Sequence, residues 1–209
     1  MADVQYIGGY RVRNLLHTAQ YTQVFEVVET SSNRHFAMKV LLPEAAADEE
    51  QRAMLFHEAE VGKEMEHENV VKIVKVSKDK AAPHIVMEFF PAGSLRARLQ
   101  SRDPKDKQFL FDNVKGIAKQ VATGLAYMNT SGYLHRDVKP DNILANSLGQ
   151  CKIIDFAIAQ KAKSGLFAKM FHKKGKPAGT PSYMSPEQIR DELLDTRADI
   201  YSYGATLYE

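Results

Sequence analysis

The sequence predicts an α+β chain, a strand-rich N-terminal part followed by a helical C-terminal part. Three observations predict it. The first third alternates apolar and polar residues in the manner of half-buried strands. After residue 91, apolar residues recur at three- and four-residue spacing. Between the two patterns stands one short connection, Pro91-Ala92-Gly93. A β-rich lobe joined to a helical lobe in this way implies a cleft between them.

Segments 10–16, 24–30 and 34–41 are rich in β-branched and aromatic residues and read as strands, with Ser31-Ser32-Asn33 as the turn between the last two. Segment 48–66 changes to a helical reading, polar with apolar residues at Leu55, Ala59 and Met65. Strands at 70–76 and 84–90 flank a turn-like 78–83, so five strands and one helix make up this part. A long helix follows, marked by Val114, Ile117, Ala118, Val121, Leu125 and Met128 and closed by Gly132 at its C-cap. Short strands then flank a loop at 134–142, an irregular basic segment runs from 157 to 184, and helical pattern resumes near Pro186.

Composition narrows the function classes. Of 209 residues, 44% are hydrophobic and 26% charged, as in a globular protein. A net charge of +2 gives no reason to expect nucleic acid or a membrane surface as partner. The single cysteine, Cys151, lies in an apolar run and is expected to be a buried thiol. One cysteine excludes an internal disulfide and a cysteine-rich zinc site and suits a reducing compartment. No apolar stretch approaches the ~20 residues of a membrane helix. Met1-Ala2-Asp3-Val4-Gln5 lacks the features of a signal peptide. A cytoplasmic location is the expectation.

The chemistry concentrates in His135-Arg136-Asp137-Val138-Lys139-Pro140-Asp141-Asn142. This run resembles the catalytic loop of protein kinases, H-R-D-x-K-P-x-N. The resemblance implies a bilobal kinase fold over 8–209, with an N-lobe at 8–87, a hinge at 88–90 and a helical C-lobe at 91–209. It implies ATP with Mg²⁺ as cofactors, Mn²⁺ being an alternative ion, and transfer of the γ-phosphate to a protein hydroxyl. Asp137 would orient that hydroxyl, and Lys139, a mark of the serine/threonine type, would reach the transferring group. Asn142 would supply an oxygen to Mg²⁺. Thirteen residues on, Asp155 in Ile154-Asp155-Phe156-Ala157 resembles the metal-binding aspartate of Asp-Phe-Gly, and a hard cation favours such carboxylate oxygen.

Further matches fill in the rest. Ala37-Met38-Lys39 resembles the strand lysine that holds the nucleotide phosphates. Glu58 is the acid expected to pair with Lys39, and Glu60 is the other candidate. Lys39 or Glu58 alone would read first as a solvated surface charge, and it is their occurrence together with the catalytic loop that favours the pair. By the same resemblance Leu16, Val24 and Ala37 would roof the adenine pocket and Leu144 would floor it. Met87 would be the gatekeeper, and Glu88 to Phe90 would present hinge backbone to the base. Gly179-Thr180-Pro181-Ser182-Tyr183-Met184-Ser185-Pro186-Glu187 resembles the end of the activation segment, making Thr180 and Glu187 substrate-site residues. Asp199 resembles the buried aspartate that fastens the catalytic loop. The short catalytic segments resemble bacterial members of the family.

Several positions depart from the pattern. Where the family has G-x-G-x-x-G, this chain has His17, Ala19 and Thr22, which is expected to weaken nucleotide binding by about 1–2 kcal/mol. Ala157 replaces the glycine after Asp-Phe, and Gly62 stands where the family packs a large apolar residue against Phe156. The activation segment carries Lys161, Lys163, Lys169, Lys173, Lys174 and Lys176 without an acid, which reads as a solvated loop or as recruitment of an acidic substrate. Arg136 suggests control by a loop phosphate, yet Ser164 is the only hydroxyl between Phe156 and Thr180. The chain is expected to end within the central helix of the C-lobe, leaving the domain truncated. A serine/threonine kinase is the reading that follows. The alternative is a pseudokinase, a scaffolding module favoured by the missing glycines, Ala157 and Gly62. A small-molecule phosphotransferase would share the Asp137, Asn142 and Asp155 set but not Lys139-Pro140 or the run at 179–187.

Overall fold

The computed structural model describes residues 5–162 and 178–209, and the strand-rich N-terminal part forms a six-stranded antiparallel sheet. Its strands are β1 (Tyr6–Ile7), β2 (Tyr10–Thr18), β3 (Thr22–Glu29), β4 (His35–Leu41), β5 (Ile73–Ser77) and β6 (His84–Glu88), in the order β1-β2-β3-β4-β6-β5. The strand beyond the predicted five is β1, which pairs Tyr6 with Arg11 and Ile7 with Tyr10. Gly8 (φ 56) and Gly9 (φ 87) close that hairpin, as a two-residue turn with both central φ angles positive requires. Two residues are too few to show alternation, so sequence pattern misses it.

Parity along the strands sorts this sheet into two faces. Tyr10, Val27, Phe36, Met38, Val40 and Val86 pack as a buried cluster on one. Val24, Ala37, Lys39, Ile85 and Met87 share the other, because Val24 pairs with Lys39, Ala37 with Met87 and Lys39 with Ile85. Two helices follow β4. The first, α1 (Pro43–Ala46), is a single turn that the sequence pattern did not predict. The second, α2 (Glu49–Lys63), is capped by Asp48, whose carboxylate accepts from the N–H groups of Glu50 (2.7 Å) and Gln51 (3.3 Å). Glu49 and Glu50 in its first turn and Lys63 in its last match the helix dipole. Its buried residues include Leu55, Glu58, Ala59 and Gly62, a stripe at i, i+3, i+4 and i+7.

By internal contacts the chain divides into two units, Met1–Glu66 with Val71–Phe90, and His67–Val70 with Pro91–Glu209. The second unit contains β7 (Gly93–Ser94), α3 (Leu95–Gln100), α4 (Pro104–Thr130), β8 (Tyr133–Leu134), β9 (Ile143–Ala145), β10 (Cys151–Ile153), β11 (Gln160–Lys161), α5 (Pro186–Ile189) and α6 (Thr196–Tyr208). Its strands form the small sheets β10-β9-β7 and β11-β8. Asp103 caps α4, Pro104 occupies its first position, and Gly132 (φ 82) follows its end. Ile117, Val121, Gly124, Leu125 and Met128 form the buried stripe of α4, whereas Val114, predicted for the same stripe, is exposed. Helical spacing continues past the point where the described residues cover the helix. Among the described residues no helix is long and apolar enough to cross a membrane.

Gln120 on α4 ties this unit together. Its Oε1 accepts from Cys151 N (3.0 Å) and Asn69 Nδ2 (3.2 Å), and its Nε2 donates to Gly149 O (2.8 Å). Cys151 is buried, and burial pushes its thiol up to about 11, so it behaves as a small core hydrophobe. One turn beyond Gln120, Gly124 lets the helix approach the Asn69 backbone. A Cβ there would meet Ile153 Cδ1 at 2.9 Å and Asn69 O at 3.1 Å. That carbonyl is held by the N–H of Ile153 at 2.8 Å, which resists its displacement. Gly124→Ala should therefore destabilise the protein by about 1–3 kcal/mol in urea unfolding, although helix propensity alone would favour alanine by about 1 kcal/mol.

Candidate active site

Strand β8 leads into the loop that holds the predicted catalytic residues, and one buried carboxylate shapes that loop. Asp199, in the first turn of α6, accepts from the backbone N–H of His135 (2.9 Å) and of Arg136 (2.8 Å), and from Asn129 Nδ2 (3.1 Å). Arg136 takes φ 69, a left-handed conformation that costs a non-glycine residue about 1–3 kcal/mol and must be held by its surroundings. His135 is fully buried. Its Nε2 lies 3.1 Å from Ile154 O, its Nδ1 accepts from Asp137 N at 3.2 Å, and its ring meets Phe156 edge-on at 5.9 Å. The histidine thus links the catalytic loop to the segment that carries Asp155.

Four predicted residues converge here. Asp137 Oδ1 accepts from Thr180 N (3.0 Å) and Thr180 Oγ1 (2.8 Å). Its Oδ2 accepts from Asn142 Nδ2 (2.9 Å) and lies 2.7 Å from Lys139 Nζ. Lys139 Nζ also donates to Thr180 Oγ1 at 2.5 Å. Asn142 donates a second time, to Asp137 O at 2.9 Å. With its Nδ2 committed twice to Asp137, the Asn142 amide turns its oxygen, the atom a cation would choose, to the other side.

Asp155 follows directly in the same unit, since Ile154 N donates to Asn142 O at 3.0 Å. It has φ 70, whereas Ala157, the residue in place of glycine, is not among the positive-φ residues and donates its N–H to Asp155 Oδ1 at 3.3 Å. Arg136 Nη1 donates to Ile158 O (3.3 Å) and Gln160 Oε1 (3.0 Å), and burial lowers the guanidinium's pKa against the opposing pull of Asp199 and Asp191. Ser164, the one hydroxyl between Phe156 and Thr180, and the lysines at 163, 169, 173, 174 and 176 lie outside the described residues. Glu187 sits half-buried in the first turn of α5, whose N-cap Ser185 forms a capping box with Gln188.

In the first unit, Lys39 Nζ and Glu58 Oε2 stand 2.6 Å apart, both largely shielded from solvent. Glu58 lies on the buried stripe of α2 and Glu60 is exposed, which separates the two candidate acids. Val24, Ala37 and Met87 share the Lys39 face of the sheet, as the register requires. Leu16 falls within the irregular register between Leu15 and His17 and is half-exposed. Glu88 ends β6 with its carboxylate accepting from Lys72 N at 2.8 Å, and Phe90 ends the first unit. Leu144 belongs to the second unit, in β9. The glycine-free hairpin closes through Ala19 N donating to Thr22 O at 2.9 Å, and none of its residues takes a positive φ. Glycine is not needed to make this turn.

Sequence reading missed Arg96. Its guanidinium, on α3, bonds both Glu209 carboxylate oxygens and the Tyr183 hydroxyl, and its Nε donates to Asp141 Oδ2 at 3.2 Å. The Glu209 carboxylate chiefly, with help from Tyr183 and Asp141, raises the arginine's pKa, while Arg96 in turn lowers that of Glu209. Dependence of the loop on Asp199 can be measured. Asp199→Asn replaces one acceptor oxygen by a donor facing N–H groups, and should cost about 1.5–3 kcal/mol in chemical denaturation.

A family model for the protein kinase domain matches residues 10–209. A probable serine/threonine-protein kinase of Clostridium acetobutylicum is 30% identical over 96% of this chain and 29% of its own length. The serine/threonine-protein kinase PknL of Mycobacterium tuberculosis is 32% identical over 96% of this chain and 48% of its own. PrkC of Bacillus subtilis, also a serine/threonine-protein kinase, is 27% identical over 97% of this chain and 30% of its own. This chain therefore spans between 29% and 48% of the length of these relatives. With the matched residues embracing the loop, the Asp155 segment and the Lys39–Glu58 pair, the chain belongs to the protein kinase domain family.

Proposed function

We propose that this chain transfers the γ-phosphate of Mg-ATP to a serine or threonine hydroxyl of a protein substrate, in the cytoplasm. The observation that carries the reading is the saturation of Asp137 by Lys139, Asn142 and both donors of Thr180. A carboxylate offers about four acceptor sites, so an incoming hydroxyl must displace a donor. Lys139, on a flexible four-carbon stem, is the donor best able to yield. The hydroxyl then lies against Asp137, which holds its proton and orients its oxygen.

The donor set suits the cofactors. Asp155 and Asn142 offer carboxylate and amide oxygen, the ligands a hard cation such as Mg²⁺ prefers. Bound there, the ion would neutralise charge on the nucleotide phosphates. Lys39, held by Glu58, is the cation for those phosphates, and Leu16, Val24, Ala37, Met87, Glu88, Phe90 and Leu144 are the residues we assign to the base. Thr180 and Glu187 are assigned to the substrate side.

The test is phosphate incorporation into a generic protein substrate with Mg-ATP. Asp137→Asn should lower the rate roughly 10²–10⁴-fold while nucleotide binding persists, and chelation of the metal should abolish transfer. Equal incorporation by the wild type and Asp137→Asn would refute the reading.

A further inference from the structure

Arg96 reaches three separate parts of the second unit from one fixed base. Helix α3 is pinned by its neighbours. Arg98 Nη1 pairs with Asp106 at 2.7 Å, its Nη2 donates to Ala145 O at 3.3 Å, and its guanidinium lies over the Phe109 ring at 3.8 Å. Leu95 is buried beside it, and Ser94 caps the helix through Ala97 N at 3.2 Å. From this platform the Arg96 side chain, one-fifth exposed, uses all three guanidinium nitrogens. Nε takes Asp141 of the catalytic loop. The other two take Glu209 at the end of α6 and the Tyr183 hydroxyl, which itself donates to Glu209.

Tyr183 ends the short turn Pro181–Tyr183 that immediately follows Thr180. That turn is held from behind by Ser202 Oγ donating to Tyr183 O at 2.7 Å. Its internal hydrogen bond, Tyr183 N to Thr180 O at 2.9 Å, passes any displacement of Tyr183 to Thr180. Thr180 in turn supplies two of the donors on Asp137. Asp141 precedes Asn142, which supplies another. Both sides of the Asp137 carboxylate are therefore referred to the same guanidinium, whose planar fork suits several acceptors at once.

We propose that Arg96 is a positioning residue of the phosphotransfer site, clamping the Thr180–Tyr183 turn and the catalytic loop in register so that a protein substrate meets Asp137 correctly. The inference rests on the kinase reading above, and its test has an arm independent of activity. In the full chain, Arg96→Ala should speed amide hydrogen exchange at Thr180, Tyr183 and Met184 while the buried turns of α4 keep their protection. Tyr183→Phe, which removes only the hydroxyl, should do the same more weakly. The two substitutions together should have less than their summed effect, because both cut one network. In phosphotransfer assays Arg96→Ala should lower kcat/KM for the protein substrate on the order of 10–100-fold with KM for ATP unchanged, and Arg96→Lys should recover only part of the loss. Unchanged exchange at 180–184 in both single variants would overturn the clamp, even if no phosphotransfer were detected. Absent transfer by the wild type together with the expected exchange pattern would overturn the kinase reading and leave the clamp supported. An equal rise in the KM for ATP would overturn the assignment to the substrate side.

Discussion

The buried carboxylate of Asp199 receives the backbone N–H groups of His135 and Arg136, and the geometry of the catalytic loop depends on that pair of hydrogen bonds. Burying a carboxylate is costly unless its lone pairs are met, and here two amides and the Asn129 side chain meet them. In return the carboxylate fixes a backbone that turns through a positive φ at Arg136, directly before Asp137. Without that turn the Asp137 side chain would leave the chain in another direction. Loop conformation and the placement of the Asp137 side chain are one constraint.

A second constraint works from the opposite side. Gln188, capped into α5, donates its Nε2 to Arg136 O at 2.8 Å and to Ala178 O at 3.4 Å. Gly179 between them has φ 131, and a Cβ there would approach Arg136 O at 3.1 Å. The segment entering Thr180 thus lies close against the catalytic loop, and the φ at Gly179 is one that residues with side chains rarely adopt. Asp199 holds the loop through its N–H groups, and Gln188 holds it through a carbonyl.

How much of this the sequence disclosed follows the distance between partners. Asp137, Lys139 and Asn142 interact within five residues, so the cluster they form shows in a local run of letters. Lys39 and Glu58 are nineteen apart and are paired in the sequence only through the family resemblance; the structure adds that the acid lies on the buried stripe of α2, where a charged residue needs a partner. Arg96 finds its partners 45, 87 and 113 residues away. On a helix of six residues it looks like any solvated charge, and no periodicity announces the clamp. Strand β1 and helix α1 were hidden for another reason, being shorter than the repeat that would reveal them. Val114 fits the period of α4 but is left half-exposed among the described residues.

The glycine-free hairpin shows where pattern and physics part. The sequence reading treats His17, Ala19 and Thr22 as losses, because glycine lets a backbone adopt positive φ or approach a ligand closely. The first of these needs is absent here. The turn closes with ordinary backbone angles, and Tyr21 fastens it to the sheet by accepting from Leu42 N at 2.9 Å. Only the second need remains, the approach of backbone N–H groups to phosphate. Any cost to the proposed activity therefore belongs to nucleotide affinity, while the surroundings of Asp137 and the pairing of Lys39 with Glu58 are set by residues outside the hairpin tip.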